Sequence, residues 1–311
     1  MGKLISIILL IIAALLGYFL YETVQNNIGD PIKLIERNYT PQIRENVLSY
    51  PDSSIQFYPN MRFNHNDITY KIHPGCGGAE RERFTSAAVF LDDKATSLTI
   101  SQNSWNSESD IEVLCGEEYL ESKDLFVAGE GGPTFVLNTS LFTVILGGKV
   151  VLHKKSCGYN VELHELLHVF GFAHSPNKDS VMYNTSFCNQ YLTSDIINEL
   201  NRLYHIEPMP DLYFSKVDAT KHGIYLDFNI TVKNQGIIDS PGIKVTLLGD
   251  GKKIQNFSIG SVEYGAGRIL TATNIKLDSR STQRITFVID PANEVSEYSE
   301  GNNQITLEVS E

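Results

Sequence analysis

Apolar and polar positions fall into four regimes along the chain. Residues 4–21 form an uncharged, almost wholly apolar run, long enough to cross a bilayer as a helix with little tilt. Residues 22–57 are polar and mixed, with Pro31, Pro41 and Pro51, and suit a stalk or a short pro-segment. From residue 58 to 206, alternating runs interleave with stretches of helical period. Residues 67–72 alternate and predict a strand, and further strands are expected at 97–102 and 110–115. Residues 79–92 place Phe84, Ala87, Ala88 and Leu91 on one helix face. The apolar runs 142–146 and 149–152 flank Gly147-Gly148 and predict a hairpin. A helix is expected over about 160–170, capped by Asn160, with Leu163, Leu166, Leu167 and Phe170 as its core stripe. Another starts at Thr193 or Ser194 and carries Ile196, Ile197, Leu200 and Leu203.

The fourth regime begins after a linker at 207–210, where Pro208 and Pro210 prevent the helix from continuing. Ile224, Leu226, Phe228, Ile230 and Val232 then occupy every second position. Strands near 243–247, 285–289 and 305–309 and a turn at Gly249-Asp250-Gly251 follow. About seven short strands in some 100 residues predict an immunoglobulin-like β-sandwich over 211–311. The fold class is therefore a transmembrane helix, an α+β domain of mixed sheet plus helices, and an all-β sandwich.

The composition is that of a globular protein: 42% hydrophobic and 20% charged residues. A net charge of −12 without any Lys/Arg block excludes nucleic acid as a partner. Lys3 precedes the apolar run and Glu22 follows it, so the amino terminus is expected in the cytoplasm and the rest outside. The competing reading is a signal peptide, removed on secretion, but the run ends in bulky Tyr18-Phe19-Leu20-Tyr21 rather than a small-residue cleavage site. Export favours pairing of Cys76, Cys115, Cys157 and Cys188. Of three connectivities, Cys157–Cys188 with Cys76–Cys115 is preferred, because Cys157 and Cys188 bracket the histidine motif described next. Sequons at Asn38, Asn138, Asn184, Asn229 and Asn256 are compatible with export.

Residues 164–174 read His164-Glu165-Leu166-Leu167-His168-Val169-Phe170-Gly171-Phe172-Ala173-His174. On a helix, His164 and His168 project from one face. Neutral imidazoles so placed suit a single Zn²⁺. Glu165, rotated by about 100°, falls beside the ion as a general base rather than on it. Gly171 is where a left-handed residue turns the chain back, letting His174 supply a third ligand. Three protein ligands leave a fourth position open, the mark of a catalytic site. The rival reading, an amphipathic helix with incidental histidines, requires a coincidence on the order of 1 in 10⁴ or rarer. The other histidines, His65, His73, His153, His205 and His222, are expected to be surface or satisfied polar residues.

With Met182 eight residues beyond His174 and Tyr183 directly after it, the region 58–206 resembles the metzincin zinc peptidases, in their matrixin-like branch. The resemblance implies a mixed sheet packed on helices, a Met-turn at Met182 and Tyr183 beneath the metal, and a polypeptide substrate. No cysteine precedes Cys76, so a matrixin-type inhibitory thiol has no counterpart upstream. The ending Val288-Ile289-Asp290-Pro291-Ala292-Asn293-Glu294-Val295, with Glu297, Glu300, Asn302 and Asn303, resembles the CARDB family, an adhesion-related prokaryotic surface module. That implies a surface protein or polysaccharide as its partner. Ca²⁺ is a lesser expectation for this acidic and amide cluster; the greater one is that these residues cap and turn the last hairpin. The whole reads as a membrane-anchored extracellular zinc endopeptidase. The alternative is a surface adhesin with a structural or inactive zinc domain, and a zinc amidase acting on wall material ranks below both.

Overall fold

The computed structural model describes residues 55–116, 128–153, 158–186 and 188–308, with the backbone of the short strands Ile32–Lys33, Ile35–Glu36, Leu120–Ser122 and Leu125–Phe126. The expected membrane helix over 4–21, nearly all of the 22–54 segment and Cys157 lie outside the described residues. Among the described residues, no helix is long and apolar enough to cross a membrane.

The first unit is an α+β layer structure. Its strands are β1 (Met61–Phe63), β2 (Asp67–Ile72), β3 (Thr99–Gln102), β4 (Ile111–Cys115), β5 (Gly129–Asn138) and β6 (Thr143–Leu152). Helix α1 (Gly78–Lys94) connects β2 to β3, α2 (Asn160–Val169) follows β6, and α3 (Ser194–Tyr204) closes the unit. Strands β3, β2, β4 and β6 run parallel in that order, β1 shares the start of β6, and β5 lies antiparallel on its other side. Helix α1 buries Phe84, Ala87, Ala88 and Leu91, the face its periodicity predicts. A disulfide joins Cys76, just before α1, to Cys115 at the end of β4.

The expected hairpin at Gly147-Gly148 is not formed. Thr143–Leu152 is one strand, with register shifts between Ile145 and Gly148. Helix α2 lies against it there: a Cβ on Gly148 would come within 2.2 Å of Val169 Cγ1. The chain reverses earlier, at Thr139–Phe142, where Thr139 N donates to Phe142 O at 2.9 Å. Asn160 is not the N-cap of α2 either. Tyr159 occupies that place without a side-chain cap, and Asn160 Nδ2 donates to Gln190 O at 2.9 Å. Arg62, fully buried on β1, ties the end of α3 to the sheet by donating to the carbonyls of Leu203 and Ile206, over the ring of Tyr204.

The second unit is an all-β sandwich of seven strands: β7 (Leu212–His222), β8 (Tyr225–Asn234), β9 (Ile243–Gly249), β10 (Lys252–Gly260), β11 (Gly267–Lys276), β12 (Arg284–Ile289) and β13 (Gln304–Glu308). One sheet runs β7-β8-β11 and the other β10-β9-β12-β13. The backbone of Ile32–Lys33 extends the first beside β7, and that of Ile35–Glu36 the second beside β13. Leu226, Phe228, Ile230 and Val232 point into the core, as strict alternation requires. At the β9–β10 turn Asp250 and Gly251 take φ of 47° and 80°, the left-handed pair a two-residue hairpin turn prefers.

The two units share a third apolar cluster. Leu141, Phe142 and Val144, at the β5–β6 turn, pack with Ile237 and Tyr298 of the sandwich. The Phe142 and Tyr298 rings lie 5.4 Å apart. Tyr298 also fastens the linker, its hydroxyl donating to Glu207 O at 2.9 Å and accepting from Met209 N at 3.2 Å.

Candidate metal centre and active site

Helix α2 is built to present one polar edge from an apolar body. Leu163, Leu166, Leu167 and Val169 are buried beneath it. Glu162, in its first turn, is almost fully buried and accepts from Arg83 Nε of α1 at 2.7 Å, which fixes α2 against α1. The helix stops at Gly171, whose φ of +87° is left-handed, and a Cβ there would come within 2.6 Å of Met61 Sδ. Both facts restrict the position to glycine. Beyond the turn the chain brings back His174.

The three histidines of the motif converge. Their ligand nitrogens all lie within 4.8 Å of one another. His168 Nε2 and His174 Nε2 are 3.2 Å apart; two nitrogens on a tetrahedral zinc ion at about 2.05 Å would be separated by about 3.3 Å. His164 Nδ1 is 2.7 Å from Val181 O, and His168 Nδ1 is 2.7 Å from Phe172 O. With Nδ1 donating to a carbonyl, each ring keeps the Nε2 lone pair for a metal, the usual orientation of a ligating histidine. Burial and the neighbouring imidazole push His168 down to about 4, and burial followed by His174 lowers His164. Both rings are therefore neutral at pH 7, the form a metal needs. On these observations the residues fit a Zn²⁺ ion.

Met182 does not join the ligands. It is buried, and the turn that carries it supplies Val181 O beneath His164; Ser175 N donates to Met182 O at 2.8 Å, closing the loop from His174. Tyr183 is half-buried, with its N–H on Ser180 O at 3.0 Å. Cys188 is disulfide-bonded; the Cys157 end of the expected second bridge lies outside the described residues.

Glu165 stands beside this cluster, facing β5. Burial above all, then Glu130 and Glu162, push its carboxyl up to about 8. The approach of β5 to α2 is what the sequence reading missed. A Cβ on Gly129 would come within 2.8 Å of Glu165 Cγ, and one on Gly131 within 2.2 Å of the Glu165 carbonyl oxygen. Only glycine lets the strand lie this close. The run Gly129-Glu130-Gly131-Gly132 was the available signal.

The C-terminal acidic and amide cluster is engaged in hydrogen bonds around the last hairpin. Glu297 accepts from Leu212 N and from Asn303 Nδ2, which also donates to Glu300; Asp290 accepts from Val295 N, and Asn302 Nδ2 donates to Asp211. Outside the triad, His65 and His222 pair with Asp110 and Asp227, and His73 contacts Trp105.

Residues 209–307 match the CARDB family model and form a CARDB domain, a cell-surface-type module. Among solved structures, the chain is similar to a CARDB domain from Pyrococcus furiosus crystallised in complex with di-metal ions (25% identity over 33% of this chain and 88% of that one, TM-score 0.27). A solution structure of that domain gives 25% identity over 33% and 95%, with a TM-score of 0.26. A domain of a putative cell surface protein from Methanosarcina acetivorans gives 25% over 33% and 93%, with a TM-score of 0.28. No curated protein matches the chain.

Proposed function

We propose that this chain is a zinc-dependent endopeptidase of the metzincin type, anchored by its N-terminal apolar run and displayed outside the cell beside its CARDB domain. The observation that carries the reading is the convergence of three imidazoles, two with Nδ1 held on a carbonyl, with Glu165 next to His164 on the same helix. A zinc ion held by His164, His168 and His174 would polarise the scissile carbonyl and acidify water. With that cation beside it, the Glu165 carboxylate would be ionised despite its burial, take the proton from the attacking water and pass it to the leaving amine. Its burial excludes bulk solvent from that transfer. Among the described residues β5 pairs with β6 and is the strand that Glu165 faces, which puts it beside the site a polypeptide would occupy.

The CARDB domain favours a second reading, a surface-binding protein whose zinc domain is inactive. Its ligand would be a surface protein or polysaccharide. Glu165 separates the two. Hydrolysis of a broad peptide library by the zinc-loaded chain should fall by on the order of 10²-fold or more in Glu165→Ala, with zinc content unchanged. A wild type inert toward every peptide, yet binding cells or matrix, would favour the second reading.

A further inference from the structure

Phe57 adjoins the metal centre without being part of it. The segment that carries it is fixed against the turn after α2: Phe57 N donates to Gly171 O and Ala173 N donates to Ile55 O, both at 2.8 Å. Gln56 forms an antiparallel bridge with Phe172. The buried Gln56 side chain adds Nε2 to Met61 O at 2.8 Å and accepts from Met61 N at 3.1 Å. On this base the Phe57 ring stacks on the imidazole of His168, centroids 5.6 Å apart and planes inclined by 19°. The stack uses the flat face of the imidazole, while Nδ1 is held by Phe172 O, so Nε2 stays directed at the metal position. The residue is 46% exposed.

A large apolar ring that is held so firmly and left half open is not core. An exposed apolar surface next to converging polar groups is the composition of a ligand pocket. Its position against a metal ligand places anything that touches it within one or two residues of the reacting bond.

We propose that Phe57 determines specificity: its open face receives an apolar side chain of the polypeptide substrate near the scissile bond. This rests on the peptidase reading and adds a substrate class to it. The contact should impose a preference at a single substrate position, because one ring covers one side chain.

The test is hydrolysis of a position-scanned peptide library by the full zinc-loaded chain, as wild type, Phe57→Ala and Phe57→Leu. Wild type should prefer apolar residues over glycine at one position by about 10-fold or more, the range of a single apolar pocket contact. Phe57→Ala should erase that preference, with kcat/KM for peptides carrying an apolar residue there falling about 10-fold or more further than for peptides with glycine. Phe57→Leu should restore most of it, and zinc content should be equal in all three. The same preference in wild type and Phe57→Ala, or a uniform slowing of all peptides, would overturn the proposal. If wild type hydrolyses no peptide, the peptidase reading and this inference fall together; an active wild type with an unmoved preference removes this inference alone.

Discussion

At the scale of single residues, the site depends on side chains that are missing as much as on those present. Gly131 brings β5 so near α2 that an added methyl would sit 2.2 Å from the Glu165 carbonyl oxygen. Gly131→Ala must therefore push strand and helix apart, at about 1–3 kcal/mol. We expect a lower melting temperature and at least a 10-fold loss of peptide hydrolysis. Gly132→Ala is the control, since no atom lies within 4 Å of its added Cβ; it should melt like wild type. Equal melting temperatures for the two variants would show that the close approach is not structurally important. The convergence of the three histidines was legible in the sequence because helical spacing and one turn glycine specify it. The glycines of β5 were not, because what they make room for lies 34 residues downstream of Gly131, at Glu165.

At the scale of elements, the last hairpin of the sandwich carries buried acid. Burial first, then Glu300 and Asp211, push Glu297 up to about 8, and burial pushes Asp211 up to about 6; donors from Leu212, Asn303, Asn302 and Gln235 act in the opposite direction. The folded state thus holds these protons more tightly than the unfolded chain. Their contribution is complete below the unfolded values near pH 4 and is lost as pH rises through about 6 to 8. Thermal unfolding without zinc should therefore show the melting temperature falling between pH 5 and 8.5, and Glu297→Gln should flatten the fall. A melting temperature that rises over this range would contradict the assignment. Elements with clean periodicity, such as α1 and β8, match their sequence reading. The misread hairpin shows the opposite case. Gly147-Gly148 has the composition of a turn, but those glycines lie inside a strand that α2 presses against. β5 went unread because Gly129-Glu130-Gly131-Gly132-Pro133 has no alternation to follow.

At the scale of the whole molecule, the sequence suggests that residues 211–311 are dispensable for chemistry, since they carry no ligand. The shared cluster qualifies this. Phe142, at the turn joining β5 to β6, is buried against Tyr298 of the CARDB domain, and β5 is the strand that lines Glu165. Tyr298→Ala in the full chain removes a buried ring and both linker hydrogen bonds, at about 3–5 kcal/mol by analogy with buried aromatic truncations. Thermal unfolding should show a clear drop, with the zinc ligands untouched and hydrolysis retained at low temperature. Unchanged stability would mean that the two units merely touch.

The central claim, that the histidine triad holds a catalytic zinc ion, is tested most directly by titrating the metal-stripped chain with Zn²⁺ while following peptide hydrolysis. The account predicts no turnover without metal, a rise that levels off at about one equivalent per chain as a single three-histidine site requires, and no rise in His168→Ala. Turnover that survives stripping, or that zinc restores equally in His168→Ala, would contradict it.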